Sequence, residues 1–334
     1  MARRPYPTVL KPYGRALVEL ALSRKDIVCI TGDLTRQCEI DLFQDAFPER
    51  FIHAGMAEAN MLSIAGALAR CGHIPFVHTF GVFATRRPLD QIINSVAYPN
   101  LPVRIVGFMP GLSSPGGPSH QAIDDVAFMR AIPNMTVVDV ADATEISKAL
   151  PLLVDVKGPV YLRLKRGEIP VIFGPEHEFS LSAPSLVKPG TEIAIVASGM
   201  MLSAALAAAD ILDEAGIDTK VINVPVIKPL NARALIAHLS GIRAVITAEN
   251  HSVIGGLGTA VAEALAEAGV GIVLRRIGLQ DTFAEGSRTA PALFKKYGLS
   301  TQNIVETAWR LLGREGEPPA APSVEFASGE YAPV

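Results

Sequence analysis

Residues 50–70, RFIHAGMAEANMLSIAGALAR, contain the pattern that decides the fold. A short β-rich run at 50–53 is followed by a turn at Gly55, and an Ala/Leu-rich helical pattern then extends from 57 to 70. The same alternation continues in both directions from this stretch and is typical of an α/β fold on parallel sheets. It predicts strands at 26–31, 74–78, 103–107, 136–140 and 160–164, and helices at 12–23, 89–97, 122–132 and 144–153.

A second α/β unit follows a change in composition. Residues 174–190 are rich in Pro, Ser, Glu and Lys and lack clean periodicity, which is typical of a linker. Beyond them the alternation predicts strands at 192–197, 220–224, 244–248 and 272–277, and helices at 201–215, 232–239, 259–268 and 301–312. We therefore predict two three-layer α/β domains with parallel sheets, at 1–173 and 191–313, joined by the linker and followed by a flexible tail at 314–334.

Composition excludes several classes of protein. The 334 residues include 30 Lys and Arg and 33 Asp and Glu, which gives a net charge of −3 and argues against a nucleic-acid or polybasic membrane surface. Hydrophobic residues make up 49 % of the chain, too many for a disordered protein. No run approaches the roughly 18 apolar residues of a membrane span. Three irregularly spaced cysteines fit neither a disulfide framework nor a zinc motif, so we expect reduced thiols in the cytoplasm.

Four stretches could carry chemistry, and each also has a structural interpretation. Glu58 in a first helical turn is either a functional carboxylate or an acid that complements the helix dipole. Phe80 and Phe83 could line a site or pack in the core. His120 ends a Gly/Pro/Ser loop after a strand, where it could transfer protons or cap the next helix. The glycine-rich turn at 255–258 could cradle a phosphate, although its spacing fits neither common nucleotide motif.

The motifs in their order resemble the C-terminal half of transketolase. The resemblance covers about residues 8–312 and is greatest with the smaller component of split transketolases, in which two polypeptides share the work of one longer chain. It rests on GMAE (55–58), TFGVF (79–83), PSHQ (118–121), RAIPN (130–134), DVAD (139–142), ENH (249–251), GGLG (255–258), DTF (281–283) and KYGL (296–299).

This resemblance implies thiamine diphosphate as the cofactor and a pyrimidine-binding domain in the first half of the chain. Glu58 matches the glutamate that hydrogen-bonds N1′ of the pyrimidine and so promotes the tautomer that removes the thiazolium C2 proton. Phe80 and Phe83 match the aromatic positions around that ring, and Phe83 is the candidate for stacking on it. Asp33 matches an acid near the cofactor.

On the substrate side, His120 matches a histidine that lines the sugar-binding funnel and acts with Glu58 in catalysis. Arg166 matches an arginine that holds the substrate phosphate in many members. The chain departs from the family pattern nearby. Leu10 stands where an arginine is usual, Met109 stands where many members have a histidine, and the loop after it is shorter. These departures imply an altered sugar-phosphate end of the site.

A partner chain is also implied. The sequence lacks the Gly-Asp-Gly and asparagine pattern with which the family binds magnesium and the cofactor diphosphate. We therefore expect no metal ligands in this chain. An N-terminal-type transketolase subunit would hold Mg²⁺ or Ca²⁺ and the diphosphate, in an α2β2 assembly with the active site at the interface. The substrate would be a sugar or sugar phosphate.

Other functions remain open at this stage. The β-subunit of a 2-oxo-acid dehydrogenase shares the glutamate and the two-domain plan, but the PSHQ and RAIPN contexts favour transketolase. Deoxyxylulose-phosphate synthase normally keeps all its domains in one chain. A non-catalytic nucleotide-binding module using the turn at 255–258 is the alternative from another class.

Overall fold

The computed structural model describes residues 6–321, in which strands and helices alternate. Turns of 3₁₀ helix occupy Pro48–Arg50 and Gly111–Ser113, and Ile92–Ala97 form a π-helix. The first half contains β1 (Thr8–Leu10), α1 (Pro12–Ser23), β2 (Ile27–Thr31), α2 (Asp41–Ala46), β3 (Phe51–His53), α3 (Glu58–Arg70), β4 (Ile74–Phe80), α4 (Gly81–Arg86), α5 (Leu89–Gln91), β5 (Arg104–Phe108), α6 (Asp125–Ala131), β6 (Thr136–Asp139), α7 (Ala143–Leu153), β7 (Val160–Leu164) and β8 (Glu168–Pro170).

The second half has the same kind of alternation. Its elements are β9 (Ser185–Lys188), β10 (Ile193–Ala197), α8 (Met201–Glu214), β11 (Thr219–Asn223), β12 (Val226–Lys228), α9 (Ala232–His238), β13 (Ala244–Ser252), α10 (Leu257–Glu267), β14 (Val273–Leu279), α11 (Ala290–Lys296) and α12 (Thr301–Leu311).

Two main sheets organise the described residues. The first has the strand order β12-β6-β7-β5-β4-β2-β3, and the second has the order β14-β13-β10-β11-β9. All pairings within them are parallel except those of β12 and β9. Strands β2, β4, β5, β7 and β10 are buried along their whole length, as parallel strands covered by helices on both faces must be.

Each sheet carries a hydrophobic core on both faces, which makes each unit three layers thick. Alternate residues of one strand enter opposite cores, as Phe76 and Val77 of β4 do in the first sheet. Ile195 and Val196 of β10 divide in the same way in the second sheet. The structure therefore confirms the predicted fold class.

Two predicted helices have a different form. The helix predicted at 122–132 begins at Asp125, because Ala122 instead closes the preceding loop by bridging to Pro110 and accepting a hydrogen bond from Gly111 N. The helix predicted at 89–97 is divided into α5 and the π-helix. Helical periodicity in a sequence does not resolve α from π hydrogen bonding.

The strands at the domain boundary were not predicted. β9 lies inside the predicted linker at 174–190 and pairs with β11 at the edge of the second sheet. β12 follows β11 in sequence but pairs with β6 of the first sheet, so the chain of the second unit contributes to both sheets. The exact domain limits stay a prediction.

The predicted flexible tail is described only in part. Gly316 O accepts a hydrogen bond from Trp309 Nε1, and Ala321 N donates to Gln302 Oε1, so residues 316–321 return along α12. Residues 322–334 of that tail lie outside the described residues.

Candidate active site

The candidate residues follow strands that end at one edge of the first sheet. Thr31 at the end of β2 pairs with His53 at the end of β3, and Phe80 at the end of β4 pairs with Phe108 at the end of β5. The carboxyl edge of parallel strands is where α/β proteins bind ligands. The segments after these strands carry Asp33, Glu58, Phe83 and His120.

Glu58 is the first residue of α3, and its side chain is only 4 % exposed. The chain reaches it through Gly55, whose φ of 72° turns the backbone between β3 and α3. The carboxylate accepts a hydrogen bond of 2.6 Å from Arg87 Nη1. The helix dipole stabilises a negative charge here, so the position suits both interpretations of Glu58 made from the sequence.

Arg87 also contacts a cluster of aromatic rings. Phe80 and Phe83 stand on either side of the junction between β4 and α4, with ring centroids 6.0 Å apart. His120 meets the Phe83 ring edge-on, with centroids 5.3 Å apart. The guanidinium carbon of Arg87 lies 4.0 Å from the Phe83 centroid. The structure thus brings Glu58, Phe83 and His120 to one place.

The second domain holds the loop that carries His120. Asn250, in β13, accepts a hydrogen bond from Leu112 N at 2.8 Å and donates to Pro110 O at 2.8 Å. The imidazole Nδ1 of His120 lies 2.9 Å from Ser119 Oγ. Because Asn250 fixes the start of the loop, the position of His120 depends on both domains.

The end of the same loop is tied in a similar way. Gln121 donates through Nε2 to Ser114 O at 3.1 Å and to Glu285 O, in the second domain, at 3.2 Å. Arg86 donates to Asp124 at 3.0 Å and to Gln121 O at 3.2 Å. These bonds give the loop a defined shape next to the cluster.

Asp33 and Arg166 follow β2 and β7, two other strands of the first sheet. Asp33 follows β2 with a φ of 76°, and its Oδ1 lies 3.1 Å from His53 Nε2. Arg166 lies between β7 and β8, near Cys38. Burial raises the pKa of the Cys38 thiol well above its usual value, and the Arg166 charge acts in the opposite direction. The roles given to Asp33 and Arg166 stay predictions.

A buried charge network joins the domains beneath the site, and the sequence analysis did not find it. Arg163 donates to Asp125 at 2.8 Å, to Asp139 at 2.9 Å and to Asn250 O at 3.1 Å, while Tyr161 donates to Asp125 at 2.6 Å. Burial alone would raise the pKa of Asp125, but the charges of Arg163 and His251 and the hydrogen bonds from Arg163 and Tyr161 together outweigh burial, so the pKa lies below its usual value.

Arg87 is the other residue that the sequence analysis missed. The signal was present, because Arg87 stands four residues after Phe83 in a helical segment, and residues at that spacing share a helix face. Only the folded structure reveals that this arginine pairs with the distant Glu58.

The glycine-rich turn at 255–258 has a structural role. The amides of Leu257 and Gly258 donate to the carboxylate of Glu249 at 2.6 and 2.8 Å. A Cβ at Gly256 would lie 1.9 Å from Glu249 Oε2, so the carboxylate fills the place where a phosphate would sit. This geometry argues against the nucleotide-binding module.

The cluster has the chemistry that an aminopyrimidine ring requires. A buried carboxylate and an aromatic ring both contact the planar, hydrogen-bond-donating guanidinium of Arg87. A flat ring with a hydrogen-bonding edge can use the same two surfaces. Glu58 and Phe83 therefore fit the pyrimidine end of thiamine diphosphate.

Among the described residues there is neither a metal-ligand cluster nor a membrane-spanning helix. Across residues 6–321, no three His, Cys, Asp or Glu side chains are grouped so as to hold a metal ion. Over the same range, no helix combines the length and apolar character needed to cross a bilayer.

Comparison with known proteins decides the family. Residues 6–171 match the transketolase pyrimidine-binding domain, and residues 184–304 match the transketolase C-terminal domain. An uncharacterized transketolase family protein of Sinorhizobium fredii is 41 % identical over 304 residues, which cover 90 % of this chain and 87 % of the relative. The chain belongs to the transketolase family. The resemblance inferred from the motifs is therefore confirmed.

The names of two other relatives describe a transketolase subunit and a split-gene transketolase. The 6-deoxy-6-sulfo-D-fructose transketolase subunit SqwH of a Clostridium species is 40 % identical over 91 % of this chain and 94 % of its own length. A solved structure described as a split gene transketolase, inactive beta4 tetramer, is 40 % identical. It superposes with a TM-score of 0.84 over 91 % of this chain and 97 % of its own.

Proposed function

We propose that this chain is the pyrimidine-binding subunit of a split, thiamine-diphosphate-dependent transketolase of the cytoplasm. It would transfer a two-carbon ketol unit from a ketose, or ketose phosphate, to an aldose acceptor. The observation that supports this most is the convergence of the buried Glu58 carboxylate, the Phe83 ring and the His120 imidazole at the carboxyl edge of the sheet.

Each residue has a role that its surroundings suit. Thiamine diphosphate, when bound, supplies the electron sink for breaking a carbon–carbon bond beside a carbonyl. Glu58 would hold a proton at N1′ of the pyrimidine, and burial strengthens that hydrogen bond by excluding water. Phe83 would stack on the ring, while Phe80 and Asp33 would complete its surroundings.

Two further residues would act on the sugar. The imidazole of His120 has its Nδ1 against Ser119 Oγ, an arrangement that can fix its tautomer and leave Nε2 to transfer a proton to or from a sugar oxygen. Arg166 would hold a phosphate at the far end of the substrate.

The activity would need a partner chain. The sequence lacks the Gly-Asp-Gly and asparagine pattern that the resemblance assigns to binding of magnesium and the diphosphate. A relative described as an inactive β4 tetramer supports dependence on a partner here. We propose an N-terminal-type transketolase subunit as the partner, holding Mg²⁺ or Ca²⁺ and the diphosphate, in an α2β2 assembly.

The anionic end of the substrate would differ from that of ordinary pentose phosphates. Leu10, where the family usually has arginine, is exposed in β1, and Met109 is buried with its amide donating to Leu164 O. A relative named for 6-deoxy-6-sulfo-D-fructose suggests that sulfonated ketoses belong in the panel of donors to test.

The experiment is reconstitution. The chain is mixed with a candidate partner, thiamine diphosphate and Mg²⁺, and two-carbon transfer is measured with neutral, phosphorylated and sulfonated ketoses. We expect transfer by the mixture and none by either chain alone. Turnover by this chain alone would contradict the proposal, and reductive acylation of a lipoyl domain would replace it with the 2-oxo-acid dehydrogenase function.

A further inference from the structure

Arg87 contacts both of the groups that the proposed pyrimidine site provides. Its Nη1 lies 2.6 Å from Glu58 Oε1, and its guanidinium carbon lies 4.0 Å from the centroid of the Phe83 ring. The first contact uses the carboxylate assigned to N1′, and the second covers the ring assigned to stacking. A pyrimidine and this guanidinium cannot use the same oxygen and the same ring face together.

The neighbouring arginine differs in how firmly it is held. Arg86 donates to the Asp124 carboxylate and to the carbonyl oxygens of Pro118 and Gln121, and its side chain is 28 % exposed. The side chain of Arg87 is 49 % exposed. For a half-exposed guanidinium the return to water has a small cost, because that group is never fully desolvated.

The pairing also explains how the buried carboxylate is tolerated without cofactor. An ionised carboxylate removed from water is costly unless it has a charged or hydrogen-bonding partner. Glu58 is almost fully buried, and Arg87 provides that partner. The arginine therefore stabilises the site in the state that awaits its cofactor.

We propose that Arg87 is a displaceable competitor for the pyrimidine site, which it occupies in the free subunit and must leave before thiamine diphosphate binds. This inference rests on the proposed function. It assigns Arg87 a regulatory role in cofactor loading. The apparent affinity for the cofactor is reduced by the fraction of molecules in which Arg87 holds Glu58.

The test is cofactor binding to the assembled two-chain complex, measured by titration calorimetry with thiamine diphosphate and Mg²⁺ in the absence of substrate. Arg87→Gln should tighten the apparent Kd about three- to tenfold, because a partly exposed ion pair of ordinary strength no longer competes. Arg87→Lys keeps the charge but loses the planar stack, so its Kd should lie between those of wild type and Arg87→Gln.

Two matched variants make the result specific. Arg70→Gln removes the same charge from the exposed end of α3, away from Glu58, and should leave the Kd unchanged. In a Glu58→Gln background the ion pair is already lost, so adding Arg87→Gln should change the Kd less than about 1.5-fold.

The outcomes separate this inference from the function on which it rests. If the wild-type complex binds the cofactor and Arg87→Gln binds it equally or more weakly, the competitor role is wrong and the proposed function stands. If the wild-type complex binds no thiamine diphosphate, both are wrong. An equal gain in affinity with and without Glu58 also contradicts the competition.

Discussion

At the residue scale, the site depends on a few side chains whose roles follow from their contacts. From its sequence position alone, Glu58 could be an acid that stabilises the start of a helix, and Phe83 could be a core residue. In the structure the guanidinium of Arg87 contacts both the Glu58 carboxylate and the Phe83 ring, and the His120 imidazole packs against that ring in a T-shaped arrangement. The sequence predicted three members of this cluster through their order along the chain. It could not reveal that Arg87 pairs with Glu58, because the two residues are 29 positions apart.

Replacement of His120 tests whether its imidazole transfers protons during catalysis. His120→Ala should lower kcat by about 10²–10⁴-fold, the usual contribution of a general acid–base group, and leave thiamine diphosphate affinity unchanged. Steady-state kinetics and cofactor titration of the reconstituted complex measure the two quantities. Ser119→Ala, which keeps the imidazole, should have a much smaller effect. Loss of folding or of cofactor binding in His120→Ala would instead indicate a structural histidine.

At the element scale, the first amides of α1 are hydrogen-bonded to a buried carboxylate. Glu39 accepts hydrogen bonds from the amides of Tyr13 and Gly14 at 3.1 and 3.2 Å. Burial raises the pKa of Glu39 to about 7, and these two amides act in the opposite direction. The sequence predicted α1 over its full length of Pro12–Ser23. It could not predict this contact, because the two segments are joined by tertiary structure.

This carboxylate makes stability depend on pH. Between about pH 4.5 and 7 the folded state keeps a proton on Glu39 that the unfolded state has released, so stability falls as pH rises through that window and then levels off. Glu39→Gln removes the titration. Urea unfolding should show the variant gaining about 2–3 kcal/mol relative to wild type between pH 4.5 and 8. Glu19→Gln, exposed on α1, is the control, and parallel pH profiles for wild type and Glu39→Gln would contradict the prediction.

At the scale of the whole molecule, the two units are joined by more than a linker. β12 crosses from the second unit to the first sheet, and Arg163 connects Asp125 and Asp139 to the backbone of Asn250. Alternation along the sequence predicted both α/β units. It did not predict β9 or β12, since short antiparallel edge strands carry too few residues for a clear period.

Removal of the buried positive charge of Arg163 should destabilise the whole chain. Arg163→Met leaves the carboxylates of Asp125 and Asp139 buried without their partner, which costs about 3–5 kcal/mol. The free energy of unfolding in urea measures this loss. Arg275→Met on the exposed side of β14 should change stability by less than about 0.5 kcal/mol. A similarly small effect for Arg163→Met would show that the network contributes little to stability.

The most direct test of the central claim is the rate of hydrogen–deuterium exchange at C2 of thiamine diphosphate bound to the two-chain complex. The account predicts fast exchange in wild type and in Glu19→Gln. In Glu58→Gln, which keeps the shape but cannot share a proton with N1′, exchange should slow by about a hundredfold or more. Exchange at the wild-type rate in an assembled, cofactor-loaded Glu58→Gln complex would contradict the assignment of Glu58 as the activating carboxylate.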